Sequence, residues 1–228
     1  MQLVPVGVYQ AIATIDGLQK GRTEAHELPP VGPVDDAVVD ATLPFLNRHV
    51  RGSVEFQRLT GCRPGEACSI RRSEIDTGGA TWLYRPTHHK TAHRGKSRTV
   101  AIGPRAQALL REFFTPILED YLFSPQRALA EVRGKPEQAK QRMRVKKRAP
   151  KERYNRTSYT RAIARAAEAA KVEHWHPNQL RHNHATKVRK AFGLEHAGAA
   201  LGHTKMSATE VYAERDEGLA VEVAAKLG

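Results

Sequence analysis

The chain has 228 residues, which is enough for one hydrophobic core and marginal for two. Its two cysteines, Cys62 and Cys68, are too few for a disulfide framework and match no zinc-binding spacing, and no stretch approaches the roughly 20 apolar residues of a membrane span. Lysine and arginine outnumber the acidic residues by 37 to 24, so the net charge is +13 with a pI near 10.0. This charge favours a protein that binds nucleic acid over one that is merely basic or ribosome-associated.

The N-terminal region predicts an arm rather than a domain. The opening residues, Met-Gln-Leu-Val-Pro-Val-Gly, lack a basic stretch followed by a long apolar run, so we expect no signal peptide and a cytoplasmic protein. Residues 1–33 hold four prolines and four glycines, with room for one short helix within Val8–Leu18. The segment is typical of an arm or linker, and we place a single folded domain at residues 34–228.

Two predicted helices meet at an arginine. The first covers Arg48–Leu59; Gly61 suits its C-cap, and Pro64 suits the first turn of the next helix. Arg63 therefore lies beside a helix N-terminus, where backbone N–H groups and the helix dipole favour an anion. The alternative for Arg63 is an ordinary surface ion pair with Glu66, three residues further on.

A β-hairpin with a basic tip follows. Thr81–Pro86 and Ser97–Ile102 have the composition of strands, and Gly95 suits the turn between them. A lysine that projects from such a tip can reach into a groove or an active site, although a solvated tip would explain most of its charges. Three histidines lie in the hairpin with no cysteine or carboxylate beside them, so we assign no metal site there. They are His88, His89 and His93.

The densest positive charge lies after the helix that Pro104 begins. Between residues 126 and 161 there are thirteen lysines and arginines against three acidic residues. We interpret residues 126–157 as a basic insertion, because its centre cannot pack as a core. The insertion can be a solvated loop that also lies along a phosphate backbone, so these two interpretations are compatible. Contact with the phosphate backbone would supply salt-dependent affinity for DNA without sequence preference. The candidate DNA contacts of this insertion are Lys146, Lys147, Arg148 and Lys151.

The C-terminal third begins with two longer helices. The pattern predicts one over Ser158–Ala170 and another that starts at Pro177. In the second helix Asn178 and Arg181 are three residues apart and share a face. That face borders the core stripe, so Arg181 is expected to be held stiffly and partly out of water. The residues of the stripe itself are Leu180, His184 and Val188.

Two residues capable of proton and covalent chemistry come next. A short helix over Leu194–Leu201 ends just before His203, and histidine exchanges protons near neutral pH. A capping box, Ser-Ala-Thr-Glu, places Tyr212 in the second turn of a further helix. Arginine binds phosphate through two donors and tyrosine can form covalent intermediates, so these residues together with Arg181 could hold and attack one phosphodiester without a metal. A core tyrosine with a satisfied hydroxyl is the alternative for Tyr212.

In combination these motifs resemble the catalytic domain of a tyrosine recombinase of the phage integrase family, over roughly residues 34–216. The box around Arg63, Thr-Gly-Cys-Arg-Pro-Gly-Glu, is similar to the family's first arginine motif. Leu-Arg-His around Arg181 and Leu-Gly-His ending at His203 match two further motifs. Tyr212, nine residues beyond His203, stands where the family has its nucleophile.

The resemblance implies a mainly α fold with a small antiparallel β-sheet (α+β), double-stranded DNA as the substrate, a dimer or tetramer on DNA, and no cofactor. Lys90, within His-Lys-Thr, matches the family's hairpin lysine, and Lys96 is the fallback. Lys96 and Arg98 are in addition candidate DNA contacts.

The implied reaction is cleavage and rejoining of DNA through a 3′-phosphotyrosyl intermediate. Tyr212 attacks the scissile phosphorus while Lys90 protonates the departing 5′ oxygen. Arg63, with Glu66 as its buttress, and Arg181 neutralise the charge that builds on the phosphate, which is typically the largest catalytic contribution. No ATP is needed, because the protein–DNA bond keeps the phosphodiester energy.

The chain departs from the family pattern in two places. Asn178 stands where the family usually has a histidine, and an asparagine cannot act as a general base, although it can hydrogen-bond a phosphate oxygen. His176 and His182 are nearby, but the helical phase puts neither in the position of Asn178. His203 or water is therefore the expected proton acceptor. In addition, only residues 1–33 precede the catalytic part, so the family's N-terminal core-binding domain is expected to be absent.

Other functions are compatible with the sequence. A type IB topoisomerase-like nicking–closing enzyme shares the residue set and would relax supercoils as a monomer. A catalytically impaired DNA-binding remnant of an integrase is favoured by Asn178 and by the short N-terminal segment. A plain basic structural protein explains least, because it gives no reason for five motif positions in the family's order.

Overall fold

The computed structural model describes residues 5–15, 31–87, 98–133 and 149–202. The chain forms two compact units, Met1–Val31 and Gly32–Gly228. The described part of the first unit contains helix α1 (Val6–Ala13), which has no buried residue. Within the described ranges, no helix is both long enough and apolar enough to cross a lipid bilayer.

The second unit is mainly helical with one small antiparallel sheet, as predicted. Its described helices are α2 (Asp36–Thr42), α3 (Arg48–Thr60), α4 (Pro64–Ser69), α5 (Pro104–Arg111), α6 (Pro125–Arg133), α7 (Arg156–Ala170), α8 (Pro177–Phe192) and α9 (Leu194–Leu201). The strands pair in the order β1 (Ile75–Asp76), β2 (Trp82–Tyr84) and β3 (Val100–Ile102). Strand β1 was not predicted, because two residues are too few to show a strand alternation.

Local chemistry sets the ends of the helices around Arg63. Helix α3 begins after Asn47, whose side chain accepts the amide hydrogen of Val50. It ends at Gly61, which has the left-handed conformation (φ 61°), and a Cβ there would also collide with the His184 ring. Pro64 opens α4, where its missing N–H costs no hydrogen bond. These ends lie where the sequence predicted them.

Helix α3 is the centre of the core. It packs against α4, α5, α6, α8 and β3. Gly52 lies where two aromatic rings approach this helix, and a Cβ there would come within 2.7 Å of both Phe113 and Phe123. The absent side chain therefore lets both rings pack directly on the helix backbone, next to Phe56.

The basic insertion predicted at residues 126–157 is not one continuous loop. Its first residues form α6, and its last residues begin α7. Arg127 of α6 is partly buried and donates to the carbonyl oxygens of Phe113 and Tyr121 at 3.1 and 3.2 Å, and this burial lowers the pKa of its guanidinium. This structural role of Arg127 does not follow from its charge, because guanidinium donors bind backbone carbonyls as well as phosphates. Residues 134–148 lie outside the described ranges.

Replacing Phe123 by alanine should test the core directly. Phe123→Ala removes a fully buried ring and leaves a cavity beside α3, so the free energy of unfolding should fall by about 3–5 kcal/mol. Urea unfolding measures the change. Phe192→Ala is the matched control, because that ring is 67% exposed and its loss should cost less than about 1 kcal/mol. Equal losses in the two variants would contradict this description of the core.

Candidate active site

Arg63 lies at the junction where α3 ends and α4 begins. Its backbone N–H donates to Glu66 Oε2 at 2.7 Å, and its Nη1 donates to Oε1 of the same carboxylate at 2.9 Å. Glu66 therefore caps the start of α4 and orients the guanidinium at the same time. The Arg63 side chain is 26% exposed, so the protein holds it and solvent still reaches it.

The Glu66 carboxylate is buried and binds a second arginine. Arg98 donates through Nε and Nη2 to the two carboxylate oxygens, at 3.2 and 3.4 Å. Burial by itself raises the pKa of Glu66, but the charge of Arg98, the backbone N–H of Arg63 and the Arg63 guanidinium lower it, and the resulting pKa lies below the ordinary glutamate value. The carboxylate is therefore ionised at neutral pH.

Arg181 joins the ends of two helices. It is 1% exposed; its Nη1 donates to the carbonyl oxygen of Gly61 and its Nη2 to that of Leu201, both at 2.7 Å. These carbonyls lie at the C-terminal ends of α3 and α9, where helix carbonyls lack intrahelical partners and the helix dipole is negative. Backbone atoms of two different elements thus set the direction of the guanidinium.

Asn178 lies in the first turn of α8 and is partly buried. Its Nδ2 is 3.5 Å from Nε2 of His182, one turn further along the helix, and His182 is 5% exposed. An amide nitrogen only donates, so this contact needs Nε2 of His182 as the acceptor. His184, in the predicted core stripe, is partly buried. Its Nδ1 is 3.3 Å from the carbonyl oxygen of Arg58, and burial lowers its pKa.

The structure brings three arginines to one junction. Arg181 binds the carbonyl of Gly61, two residues before Arg63, and Arg98 shares the carboxylate of Glu66 with Arg63. Several residues that the sequence analysis assigned to the site lie outside the described ranges. They are Lys90, Lys96, Lys146, Lys147, Arg148, His203 and Tyr212.

The prediction that Arg98 contacts DNA does not fit the structure. Its side chain is 5% exposed and is bound to Glu66. The sequence held a signal for this: Arg98, Val100 and Ile102 alternate along an extended segment, so they point to the same face, and Val100 and Ile102 are fully buried. Lys151, in contrast, is exposed just before α7 and stays a predicted backbone contact.

Other kinds of site are less well supported by the described residues. Among them, no group of three or more His, Cys, Asp or Glu side chains is placed to hold a metal ion. A groove of about 840 Å³ lies between α6 and α7, and none of the three arginines lines it. The arginine junction is therefore the candidate active site.

Glu66→Gln should destabilise the protein at neutral pH by about 3 kcal/mol, because Arg63 and Arg98 lose their buried counter-charge. The pKa of Glu66 in the folded protein lies below its ordinary value of 4.5. The stabilisation is therefore complete above that ordinary value and is lost as the pH falls through the folded pKa. In urea unfolding, the difference between wild type and variant should be largest near neutral pH and should shrink below pH 4.5.

Glu112→Gln is the matched control for this variant. Glu112 is 62% exposed and pairs loosely with Arg48, at 3.8 Å, so its replacement should cost less than about 1 kcal/mol. A Glu66 variant as stable as the Glu112 variant, or a difference that does not change with pH, would contradict the role given to the buried carboxylate.

Comparison with known proteins identifies the family. Residues 36–218 match the model of the phage integrase family. Tyrosine recombinase XerC of Corynebacterium glutamicum is 27% identical over 161 residues, which make up 70% of this chain and 44% of that protein. The chain thus spans less than half the length of this curated relative.

Solved structures share the fold at low sequence identity. The crystal structure of XerA recombinase has a TM-score of 0.58 and 19% identity, over 87% of this chain and 66% of that chain. The Tn1549 transposon integrase in complex with circular intermediate DNA has a TM-score of 0.63 and 14% identity, over 96% and 75%. A lambda integrase dimer bound to a COC′ core site has a TM-score of 0.59 and 17% identity, over 92% and 56%. The family match covers most of the chain and the fold agrees with it, so this protein belongs to the phage integrase family.

Proposed function

We propose that the protein is a site-specific DNA recombinase that cleaves and rejoins DNA through a 3′-phosphotyrosyl intermediate. The observation that supports this most is the meeting of Arg63 and Arg181 at one junction, where Glu66 and helix-end carbonyls hold them. Two fixed guanidinium groups suit the charge of one phosphodiester. Arg181 also binds the carbonyl of Leu201, two residues before His203 in the chain.

In the proposed reaction the phenol oxygen of Tyr212 attacks the scissile phosphorus. A phosphotyrosyl bond forms on the 3′ side, the bond to the 5′ oxygen breaks, and Lys90 gives that oxygen a proton. Free tyrosine has a pKa of about 10, so Tyr212 loses its proton during the attack, to His203 or to water. Arg63 and Arg181 neutralise the charge on the non-bridging oxygens, and one such donor is typically worth about 3–4 kcal/mol.

Double-stranded DNA is the proposed substrate, and a dimer or tetramer on DNA is the proposed assembly. The net charge of +13 supports a polyanionic partner, and one similar structure is that of a lambda integrase dimer bound to a core site. The proposed reaction uses no cofactor, and a DNA substrate supports a cytoplasmic location. The basic residues proposed to bind the phosphate backbone, without sequence preference, are Lys96, Lys146, Lys147, Arg148 and Lys151.

A DNA-binding protein with impaired cleavage is the second candidate, and one observation favours it. Asn178 occupies the position where the family usually has a histidine, and its amide is directed at His182. The amide accepts no proton at neutral pH. Proton removal from Tyr212 would then depend on His203 or on water.

A covalent-capture experiment separates the two candidates. The protein is incubated with a library of nicked duplexes of randomised sequence, so that a short 5′-hydroxyl fragment is lost after cleavage and the adduct persists. Wild type should give a protein–DNA adduct on a denaturing gel, and sequencing the trapped DNA should reveal a preferred site. Tyr212→Phe should give no adduct, because phenylalanine has no oxygen to attack phosphorus.

Tyr9→Phe is the control for this variant, since Tyr9 is 72% exposed in α1 and its hydroxyl has no part in the scheme. Gel-shift binding without any wild-type adduct would favour the impaired protein. An adduct that survives in Tyr212→Phe would show that another residue is the nucleophile.

Asn178→His should accelerate adduct formation by at least about ten-fold, because a positioned imidazole contributes general base catalysis. The single-turnover rate on a trapped sequence measures it. Lys190→His, an exposed position on the same helix, controls for the added imidazole and should leave the rate unchanged. An Asn178→His rate no higher than wild type would mean that proton removal at this position does not limit cleavage.

A further inference from the structure

Arg98 touches three parts of the candidate site. It approaches Glu66 from the start of β3, with Nε and Nη2 on the two carboxylate oxygens at 3.2 and 3.4 Å. Its Nη1 donates to the carbonyl oxygen of Thr99 at 3.1 Å, which fixes the guanidinium to its own strand. At 5% exposure, the side chain is built into the protein and does not face a DNA surface.

Arg98 also changes the charge that the Arg63–Glu66 pair presents. A carboxylate with one guanidinium is a neutral pair, so Glu66 alone would cancel the charge of the arginine it orients. Within the described part of the chain, Glu66 is the acidic partner of both arginines. Two guanidinium groups on one carboxylate leave one positive charge in excess. Arg98 thus allows Glu66 to orient Arg63 without cancelling the positive charge that Arg63 offers where negative charge builds on the phosphate during cleavage.

The third contact of Arg98 is with the end of α9. Gly202 caps this helix in the left-handed conformation (φ 64°), and a Cβ there would collide with Nη1 of Arg98 and lie 3.1 Å from its Cζ. Helix α9 packs against β3, so the close approach joins two elements that are far apart in sequence. The residue after Gly202 is His203.

We propose that Arg98 is a positioning residue for DNA cleavage, which holds Arg63 through Glu66 and holds the chain that leads into His203 through Gly202. This inference rests on the proposed recombinase function. It also predicts a property of the free protein, which can be measured without any DNA.

Two variants separate the charge of Arg98 from its shape. Arg98→Gln removes the positive charge, whereas Arg98→Lys keeps the charge opposite Glu66 but loses the planar group with several donors. Arg98→Lys also serves as the foldable variant if the glutamine variant does not fold. Arg85→Gln is the matched control, because Arg85 is 54% exposed and pairs with Asp76 at the surface.

Amide hydrogen exchange in the free protein is the first measurement. The Arg63 amide donates to Glu66, and the Gly202 amide donates to the carbonyl of Ala199 at 3.0 Å. Loss of Arg98 should accelerate exchange at both amides by about ten-fold or more, while the amides of α7 stay as protected as in the Arg85→Gln control. The proposal would be overturned if one of these two amides exchanged at the wild-type rate in Arg98→Gln and also in Arg98→Lys.

Cleavage of a trapped DNA sequence is the second measurement. At saturating DNA, Arg98→Gln should cleave about 10- to 100-fold more slowly than wild type, which is typical when a supporting shell around a reactive group is lost, and Arg98→Lys should be intermediate. DNA affinity and its salt dependence should stay at the wild-type values. Weaker affinity with a salt slope lower by about one would show a direct phosphate contact and would overturn the proposal.

A neutral methylphosphonate at the scissile position distinguishes positioning from a general loss of structure. This substrate has no negative charge for Arg63 to neutralise, so the defects of Arg63→Ala and Arg98→Gln should both shrink relative to wild type. A merely destabilised protein would be equally slow on both substrates, and that result would overturn the proposal.

The two proposals fail in different ways. If wild type forms no adduct with any duplex of the library, the recombinase function is wrong, and hydrogen exchange still decides whether Arg98 joins the two segments. If wild type forms the adduct and Arg98→Gln matches it in both rate and exchange, only the role of Arg98 is wrong.

Discussion

The buried carboxylate of Glu66 is the interaction on which the arginine junction depends. A buried charge is costly unless it is paired and fully hydrogen-bonded. Glu66 meets this condition with the backbone N–H and guanidinium of Arg63 and with two donors of Arg98. The start of α4 and the start of β3 must therefore meet at one point, so the position of Arg63 depends on a strand that begins more than thirty residues later in the chain.

The buried charge of Arg181 is also hydrogen-bonded, in this case to backbone carbonyl oxygens. The carbonyls at the ends of α3 and α9 lack helical partners, and one guanidinium from α8 satisfies both. Three helices are thus joined by a cation at the negative ends of two helix dipoles. Both helices end at a glycine in the left-handed conformation, Gly61 and Gly202, because glycine adopts this conformation without strain. The site is built on helix ends, so its geometry follows from the packing of α3, α8 and α9.

The sequence was most informative where structure depends on near neighbours. Gly61 and Pro64 could be assigned to helix ends because caps are decided within a few residues, and the motif order was sufficient to indicate the fold class. Partners distant in sequence were not predictable in the same way. Arg98 and Arg127 were counted as charge for DNA, yet one binds a buried glutamate and the other binds backbone carbonyls. Alternation with Val100 and Ile102 marked Arg98 as inward-facing, but a count of charges does not use periodicity.

Because these arginines are buried, the net charge overstates the positive charge that the protein presents to a partner. A formal charge of +13 includes side chains whose donors are occupied inside the protein, so the charge that faces a polyanion is smaller than the composition suggests. At the junction, by contrast, the fold maintains an excess of positive charge, because Arg63 and Arg98 share the single carboxylate of Glu66. That excess acts where negative charge builds on the phosphate during cleavage, because a fixed positive charge stabilises developing charge more than it stabilises the bound substrate. A neutral side chain at position 98 would leave Arg63 paired to neutrality, and it would take two charged donors away from the buried carboxylate of Glu66.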